Sequence, residues 1–305
     1  MENRNLLQHI FIILKGMAMG VAELVPGVSG GTIAFVAGIY EEFIGTINNV
    51  NLKTLKLWRT EGFTSFWKAL NGNFLGSLLL GMAISILSFT KLIKWLLENE
   101  PIPIWSFFFG LVVASIIVVA KAIKKWNVAT ITLLIVGAIV AYFITTLPPS
   151  TNTESLSFIF FSGALAICAM ILPGISGAYI LVLLGAYKPV IDALHDKNFK
   201  VLITMALGMA FGILSFAKAL KWMFEHHKNI TLAVLTGFIL GSLNKIWPWK
   251  IILETKTIGN KVIVLKDKNV LPFDFDGEHQ LLYAILAAII GFSLIFILEK
   301  VASKK

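Results

Sequence analysis

The chain has few cysteines, few arginines and few charged residues overall. Cys168 is its only cysteine, which excludes an intramolecular disulfide and a CxxC-type metal site. Arginine occurs only at Arg4 and Arg59, against 24 lysines. Charged residues make up 14% and hydrophobic residues 57% of the 305 residues, whereas soluble domains have about 25% charged residues. This composition predicts an integral membrane protein with several crossings.

Metal-binding patterns are also absent from the sequence. The five histidines are scattered, and no HExxH sequence or carboxylate cluster indicates a metal site. We therefore expect no metal and no cofactor. The formal net charge of +9 comes almost wholly from lysine. Membrane proteins are usually basic because their cytoplasmic loops are, so this charge does not imply nucleic-acid binding.

An apolar sequence with a glycine–serine break occurs twice. Residues 16–47 read GMAMGVAELVPGVSGGTIAFVAGIYEEFIGTI, and residues 163–194 read GALAICAMILPGISGAYILVLLGAYKPVIDAL, without a gap at an offset of 147. A second matching pair, residues 80–116 and 207–243, follows at an offset of 127. Two matched blocks in the same order indicate a tandem duplication, with repeats over residues 1–150 and 151–305.

Each half is expected to contain a broken hairpin and three membrane-spanning helices. The predicted helices cover residues 70–97, 102–121 and 128–147, then 200–224, 230–247 and 280–300. About 16 apolar residues on each side of a break are too few to cross twice. Each motif is therefore interpreted as a re-entrant hairpin of two half-helices, and polar residues 48–68 as a surface loop.

Three crossings per half is an odd number, so the second half must enter the membrane from the opposite face. The predicted fold class is an all-α polytopic membrane protein with an inverted-topology repeat in a single membrane domain. The distribution of lysines favours cytoplasmic positions for both termini. In the loop at 250–279, the alternating segment ETKTIGNKVIVLKDK predicts a small β-hairpin on the outer face.

The paired PGxSG breaks are the candidate binding site. Ser29 and Ser176 are placed to cap the second half-helices, while Pro26 and Pro173 end the first ones. A helix N-terminus offers free N–H groups to an anion such as phosphate; the alternative is that the glycines only permit tight helix packing. The candidate substrate-binding residues here are Ser29, Gly30, Gly31, Thr32, Ser176, Gly177, Ala178 and Tyr179. Candidate gating positions in the breaks are Pro26, Gly27, Pro173 and Gly174.

Glu23 lies in an apolar run just before the first break, and its counterpart in the second copy is Met170. An ionisable residue at membrane depth predicts a coupling site for a proton or another cation. The alternative is a structural hydrogen bond that braces the hairpin. Tyr40 and Tyr187 follow the breaks and are either hydrogen-bonding groups of a cavity or anchors at the membrane interface.

Two lysine pairs recur at i, i+3 spacing near the ends of matching helices, each followed by a tryptophan. One interpretation is that these long side chains reach out to the lipid headgroups. The other is that each pair draws a phosphate headgroup towards the central site from its own face of the membrane. The pairs are Lys91 with Lys94 and Lys218 with Lys221.

The segments GMAMGVAELVPGVSGGTIAFVAGIYEEFI and PGISGAYILVLLGAY closely resemble the bacterial polyprenyl-phosphate translocase family (PopT), and the likeness covers nearly the whole chain. The resemblance implies a transporter of undecaprenyl phosphate, the lipid carrier of cell-wall precursors. This transporter would return the lipid from the outer to the inner leaflet of the bacterial cytoplasmic membrane. Its partner would be this lipid or a related one, with a proton or a sodium ion as the candidate coupling ion.

Membrane undecaprenyl-diphosphate phosphatases are the main alternative, since they also carry a PGxS motif on broken helices. Their pattern follows the serine with an arginine and pairs it with a glutamate-rich motif. Here Gly30 and Gly177 follow the serines, so the bidentate donor that a diphosphate needs is missing. We therefore expect binding without bond cleavage and no catalytic residues. A carrier of a small anion such as inorganic phosphate is a third alternative.

Overall fold

The protein is a bundle of helices with one small sheet. The structure, a computed structural model, describes residues 4–25, 27–150, 155–258 and 261–303. The first half contains α1 (Leu6–Glu23), α2 (Gly30–Val36), α3 (Tyr40–Asn48), α4 (Leu52–Glu61), α5 (Phe63–Leu70), α6 (Gly72–Asn99), α7 (Pro101–Lys121) and α8 (Val128–Thr146). The second half contains α9 (Leu156–Ile171), α10 (Gly177–Leu183), α11 (Tyr187–His195), α12 (Phe199–Ser242), β1 (Lys250–Ile258), β2 (Lys261–Asn269) and α13 (Leu281–Ser303).

Within the described ranges, six helical segments are long and apolar enough to cross a membrane: α1, α6, α7, α8, α12 and α13. Four of the predicted helices are confirmed as α6, α7, α8 and α13, within a few residues of their expected bounds. Local sequence explains two of the starts. Pro101 occupies the first turn of α7, where its missing N–H is not needed. Asn127 and Thr130 form a reciprocal cap at the start of α8.

α12 contains the two helices predicted at residues 200–224 and 230–247, with a kink between them at His227. His227 separates the two helices, because its backbone is non-helical, with φ −135° and ψ 43°. The chain turns sharply here although no proline or glycine lies between residues 225 and 230, and the Thr231 hydroxyl reaches the carbonyl oxygen of Met223 at 3.1 Å across the turn. The Thr231 hydroxyl donates to the carbonyl oxygen of His227 at 3.0 Å and stabilises the bend. We call the segments before and after His227 α12a and α12b.

Each copy of the broken motif contains three helices rather than the two half-helices expected. A short helix, α2 or α10, follows the break, and α3 or α11 then begins at Tyr40 or Tyr187. Between them lie Gly38 and Gly185, with φ of 69° and 75°, a conformation that favours glycine. α10 and α11 meet at 102°, as a broken span or a re-entrant loop would. α1 is also longer than expected, and its 18 residues make it a candidate span by itself.

Most of residues 48–68 form the surface helices α4 and α5, not the loop that the sequence suggests. The Asn51 side chain caps α4 by accepting a hydrogen bond from the Thr54 amide at 3.0 Å. α5 lies back on α4, and Trp58 stacks on Phe66 with ring centroids 5.4 Å apart. The polar composition concealed these two helices because their stability depends on aromatic contacts between them.

Close helix packing depends on glycines at matching positions of the two halves. α1 packs on α6, and α9 packs on α12a. A Cβ added at Gly81 would lie 2.0 Å from the carbonyl oxygen of Ile13, and one added at Gly208 would lie 2.0 Å from that of Phe160. Any side chain at these positions would overlap the backbone of the neighbouring helix, so glycine permits the close approach typical of membrane helices.

The last helix of each half packs on the middle segment of the other half. α13 contacts α7, and α8 contacts α12b. An added Cβ at Gly110 would lie 2.0 Å from the carbonyl oxygen of Ala288, and one at the matching Gly237 would lie 2.1 Å from that of Leu134. The two halves are therefore joined by helices whose backbones lie in direct contact, α13 on α7 and α8 on α12b.

The predicted β-hairpin is confirmed. β1 and β2 are antiparallel, from the pair Lys250 and Asn269 to the pair Ile258 and Lys261. Residues 259–260, between the two strands, lie outside the described residues. The Trp249 indole donates to the carbonyl oxygen of His279 at 2.9 Å, which fixes the hairpin near the start of α13. We call this the hairpin end of the bundle.

Charged side chains of the first half contact each other and α12 at the opposite end. Arg4 pairs with Glu42 at 2.6 Å, which joins the chain before α1 to α3. Lys228, next to the bend of α12, pairs with Glu41 of α3 at 2.5 Å. The beginning of α1, α3 and the bend of α12 therefore lie together.

Replacing Gly237 by alanine is expected to destabilise the bundle, because the new methyl group would overlap the carbonyl oxygen of Leu134. Overpacking of this kind costs about 1–3 kcal/mol. The matched control is Gly45→Ala in α3, where nothing lies within 4 Å of an added Cβ. Thermal unfolding in detergent should give a lower apparent melting temperature for Gly237→Ala alone. Equal melting temperatures for the two variants would contradict the packing role.

Candidate functional site

The first break is closed by its own side chains. Ser29 caps α2 as predicted, because its Oγ accepts a hydrogen bond from the Gly31 amide at 3.1 Å. Glu23 fills the next position, and its Oε1 accepts a hydrogen bond from the Gly30 amide at 2.8 Å. The N–H group that the sequence analysis assigns to an anionic substrate thus contacts a carboxylate of the protein. The structural hydrogen bond considered for Glu23 is present.

The two breaks contact each other directly. The Ser29 hydroxyl donates to the carbonyl oxygen of Leu172 at 3.0 Å. In return, the Gly174 amide donates to the Thr32 hydroxyl at 3.1 Å, and the Tyr40 hydroxyl donates to the carbonyl oxygen of Ile171 at 3.2 Å. Three side chains of the first copy therefore satisfy backbone groups at the end of α9 and in the second break. A buried backbone group without such a partner would be costly.

Steric contacts show how tightly the breaks fit. A Cβ added at Gly31 would lie 2.4 Å from the carbonyl oxygen of Ile171, and one at Gly177 would lie 2.6 Å from that of Ala166. Gly27 and Gly174 have φ of 86° and 90°, which lets the chain turn before each short helix. Pro173 is buried beside Gly174. Pro26 lies outside the described residues.

The second break is built differently from the first. Ser176 occupies the position before α10, but its side chain makes no capping hydrogen bond, so the predicted cap is wrong for this copy. Met170 replaces Glu23, and no carboxylate occupies the corresponding place. Ala178 is exposed and Tyr179 half-buried, whereas the equivalent residues of α2 are buried. The second break is therefore the more accessible one.

Tyr40 and Tyr187 also differ in their surroundings. Tyr40 is only 2% exposed and bonds to the second copy, while Tyr187 is half-buried. The structure thus makes Tyr40 a hydrogen-bonding group inside the protein rather than an anchor at the membrane interface. Its position against Ile171 explains why a tyrosine is suitable there, since the ring fills space and the hydroxyl satisfies a carbonyl group.

The two predicted lysine pairs lie on exposed helix faces. Lys94 pairs with Glu98 at 3.7 Å, and Lys221 pairs with Glu225 at 3.9 Å. Both contacts join residues four apart on one helix, and such exposed pairs contribute little to stability. Lys91 and Lys218 are also exposed. In the described structure, these four lysines are not among the buried residues of the breaks.

A group that the sequence analysis missed lies next to the breaks at the hairpin end. Lys245 and Lys250 share the carboxylate of Asp267, at 3.3 and 3.4 Å. A Cβ added at Gly27 would lie 3.2 Å from Cγ of Lys245, and Nζ of Lys245 lies 5.2 Å from the ring centre of Tyr179. The group therefore contacts both copies of the motif. Neither lysine belongs to a repeated segment, so the duplication gave no signal for it.

Burial and mutual charge govern the ionisation of this group. Burial lowers the pKa of Lys250 to about 8, with a smaller lowering from Lys245, although Asp267 acts in the opposite direction. Burial by itself would raise the pKa of Asp267, but the charges of Lys250 and Lys245 outweigh it and lower the pKa. Around pH 7 Lys250 therefore still carries its proton, and Asp267 is ionised.

The part of the chain that the structure describes has no group of three or more His, Cys, Asp or Glu side chains able to hold a metal ion. The polar groups brought together at the breaks are hydroxyl groups, backbone amides and one carboxylate. These groups can bind an anion once the carboxylate is displaced, or hold a proton on Glu23.

Ser29→Ala and Ser176→Ala should differ in their effect on stability. Ser29 is 1% exposed and bonds to both copies, so its removal leaves buried backbone groups unpaired, at about 1–3 kcal/mol for each group. Ser176 makes no capping bond and serves as the matched control. Thermal unfolding of the purified proteins measures the difference. An equal loss of melting temperature in both variants would contradict the asymmetry.

Comparisons with known proteins agree with the resemblance carried by the motifs. A family model described as "VCA0040-like: Undecaprenyl phosphate translocase-like" matches residues 19–264. The chain is 42% identical over 304 residues to the polyprenyl-phosphate transporter of Vibrio cholerae serotype O1, covering 98% of each chain. It is 33% identical over 255 residues to the polyprenyl-phosphate transporter of Staphylococcus aureus, covering 77% of this chain and 85% of the relative. No solved structure matches the chain. The chain belongs to the undecaprenyl phosphate translocase-like family.

Proposed function

We propose that this protein transports a polyprenyl phosphate, specifically undecaprenyl phosphate, from the outer to the inner leaflet of the bacterial cytoplasmic membrane. Its family and the names of its relatives support this substrate. The observation that carries the proposal is the direct contact between two interrupted helices inside a bundle of membrane-length helices. Interrupted helices that meet in this way form the substrate sites of many transporters.

The architecture proposed for this activity is an inverted repeat of residues 1–150 and 151–305 within one membrane domain. Two features support it. Matching glycines mediate matching helix contacts in the two halves, and the last helix of each half packs on the other half. In this arrangement the opposite end faces the cytoplasm with both termini, and the hairpin end with its loop at 250–279 faces outward.

The proposed binding site for the phosphate headgroup lies at the paired breaks. Hydroxyl groups and helix-start amides are the donors available to a phosphate. They belong to Ser29, Gly30, Gly31, Thr32, Ser176, Gly177, Ala178 and Tyr179. The first break is occupied by Glu23, so the phosphate reaches the Gly30 amide only when this carboxylate moves away. Glu23 is therefore the proposed coupling residue, because a proton or a sodium ion would weaken its hold on the amide.

The lysine pairs have a more peripheral role in this proposal. Lys91, Lys94, Lys218 and Lys221 lie on exposed faces, where ammonium groups attract anionic headgroups from the adjacent leaflet. They concentrate the lipid near the protein but do not contact the phosphate at the breaks. Their substitution should lower the rate of transport less than a change at the breaks.

Glu23→Gln is expected to abolish transport while the protein stays folded. The glutamine oxygen can still accept the hydrogen bond from the Gly30 amide, but it carries no charge and takes up no proton at neutral pH. Transport of fluorescent polyprenyl phosphate between the leaflets of proteoliposomes measures the effect. The double variant Ser29→Ala/Ser176→Ala should be inactive as well.

Glu42→Gln is a matched control for Glu23→Gln, because Glu42 is a half-buried carboxylate that pairs with Arg4 away from the breaks. It should retain most of the transport activity. Equal rates for the wild type, Glu23→Gln and the double serine variant would rule out the breaks as the transport site.

The protein should release no phosphate from undecaprenyl diphosphate. The residues after both serines are glycines, Arg4 pairs with Glu42, and Arg59 lies in α4. The breaks therefore lack the guanidinium group that would stabilise a phosphoryl transition state. Phosphate release by purified protein is the measurement. Turnover that disappears in Ser29→Ala/Ser176→Ala would replace the translocase proposal by a phosphatase.

A further inference from the structure

The lysine group at the hairpin end has the properties of an anion site. Side-chain exposure is 17% for Lys245, 13% for Lys250 and 21% for Asp267, so water screens their charges only partly. Two ammonium groups face one carboxylate, which leaves one positive charge uncompensated within the group. A buried excess charge is costly unless an ion of opposite sign binds to it.

An apolar groove lies further along α7 from this group. It has a volume of about 290 Å³ and lies between α7 and α13, where its lining includes Phe109, Val113, Ile289 and Phe292. Its walls are entirely hydrophobic side chains and glycine, so the groove fits an apolar chain.

Two aromatic contacts connect the lysine group to the groove. Nζ of Lys250 lies 5.1 Å from the ring centre of Trp105 in α7. Phe109, which lines the groove, follows one helical turn later and packs edge-on against Trp247, with ring centroids 5.4 Å apart. Trp105 and Trp247 therefore link the positive group to the Phe109 end of the groove. A ligand with an anionic head and an apolar chain matches both.

We propose that Lys245 and Lys250 bind the phosphate of a prenyl monophosphate whose chain lies in the groove between α7 and α13. This is a second lipid site at the hairpin end, next to the paired breaks but formed by other charged side chains. The inference rests on the proposed function, because it assigns the site to the same class of lipid. The charge complementarity of the lysines selects the phosphate, and the apolar walls select the chain.

Asp267 has a defined part in this site. In the free protein its carboxylate neutralises one ammonium group and keeps the lysines together. A bound phosphate replaces the carboxylate as their partner, since a dianionic phosphate offers more charge and more acceptor oxygens. Asp267 therefore competes with the ligand. Its removal strengthens ligand binding, which is opposite to the effect of removing either lysine.

The test measures binding of radiolabelled farnesyl phosphate to the full-length protein in phosphatidylcholine nanodiscs. Lys245→Gln and Lys250→Gln should each weaken binding about tenfold, the effect of losing one charged hydrogen bond. Asp267→Asn should bind more tightly than the wild type. The matched control is Lys268→Gln, which removes an exposed lysine from the adjacent position of the same strand and should leave binding unchanged.

A second pair of variants tests the groove. Ile289→Trp adds bulk to a groove-lining side chain and should weaken binding of farnesyl phosphate. Ile290→Trp is the matched control, because Ile290 is equally apolar and exposed but does not line the groove. Farnesol and inorganic phosphate should each compete poorly, since each supplies only one part of the ligand. Phosphatidylglycerol should also compete poorly; competition equal to that of farnesyl phosphate would contradict a prenyl-phosphate site.

Binding should also weaken as the pH rises through about 8, where Lys250 loses its proton. The groups that face Lys250 are Lys245 and Asp267, together with the uncharged Trp105. Asp267 is already ionised, and a phosphate monoester completes its second ionisation near pH 6. The pH effect should therefore be absent in Lys250→Gln.

The outcomes separate this site from the proposed function. Wild-type protein that binds farnesyl phosphate with the expected variant pattern but transports no polyprenyl phosphate would support the site and refute the proposed function. Wild-type transport together with unchanged binding in both lysine variants would refute the site alone. Weaker binding in Asp267→Asn would also refute it, because the group would then be a structural ion pair.

Discussion

An interrupted helix inside an apolar bundle leaves backbone N–H and C=O groups that need partners, since the surrounding medium offers none. This protein meets the requirement by pressing its two interruptions together. Ser29 satisfies Leu172, Thr32 satisfies Gly174, and Tyr40 satisfies Ile171. Each of these bonds runs from a side chain of the first copy to the backbone of the second. The two breaks can therefore lie inside the bundle because they contact each other. This contact in turn requires the surrounding helices to pack closely.

The two similar motifs differ in their contacts. The first copy holds the hydrogen-bonding side chains, and its α3 packs on α12 through Tyr40 and Phe224, whose ring centroids are 5.7 Å apart. In the second copy, Tyr187 and α10 are less buried, and a cavity of about 410 Å³ lies beside Lys188 and Asp192 of α11. The bundle is thus closed around α3 and looser around α11. In the proposed inverted repeat these two arrangements would exchange as the site opens to one side and then to the other.

Sequence patterns predicted the elements whose stability is local. The α6, α7, α8 and α13 helices follow from long apolar runs, the hairpin from alternation, and the Ser29 cap from its place before two glycines. Other features depend on contacts between distant parts of the chain and left no local signal. The helices α4 and α5 within residues 48–68, which need aromatic contacts, are an example.

Identical motifs also proved a poor guide to identical roles. Ser29 and Ser176 occupy the same position in PGxSG, yet only Ser29 caps its helix. The surroundings of the two breaks differ as well, because Glu23 accepts a hydrogen bond from the Gly30 amide in the first copy and Met170 stands at its position in the second. The Lys245 group was missed for a related reason. It is formed by residues before and within the hairpin, none of which is repeated, and it becomes visible only when the hairpin folds back over the breaks.

The positions of Glu23 and the lysine group suggest why transport would need a coupling ion. Lys245 lies against Gly27, and Glu23 holds the amide only three residues further along, at Gly30. A phosphate that moves from the lysines into the first break would therefore approach a carboxylate of the same sign at close range. Repulsion in this poorly screened interior is much stronger than in water. Neutralising Glu23 with a proton or a cation removes the repulsion and frees the amide in one step. In the proposed mechanism, the coupling ion therefore neutralises the Glu23 carboxylate that closes the first break. The phosphate then moves from the lysines and takes the place of this carboxylate at the Gly30 amide.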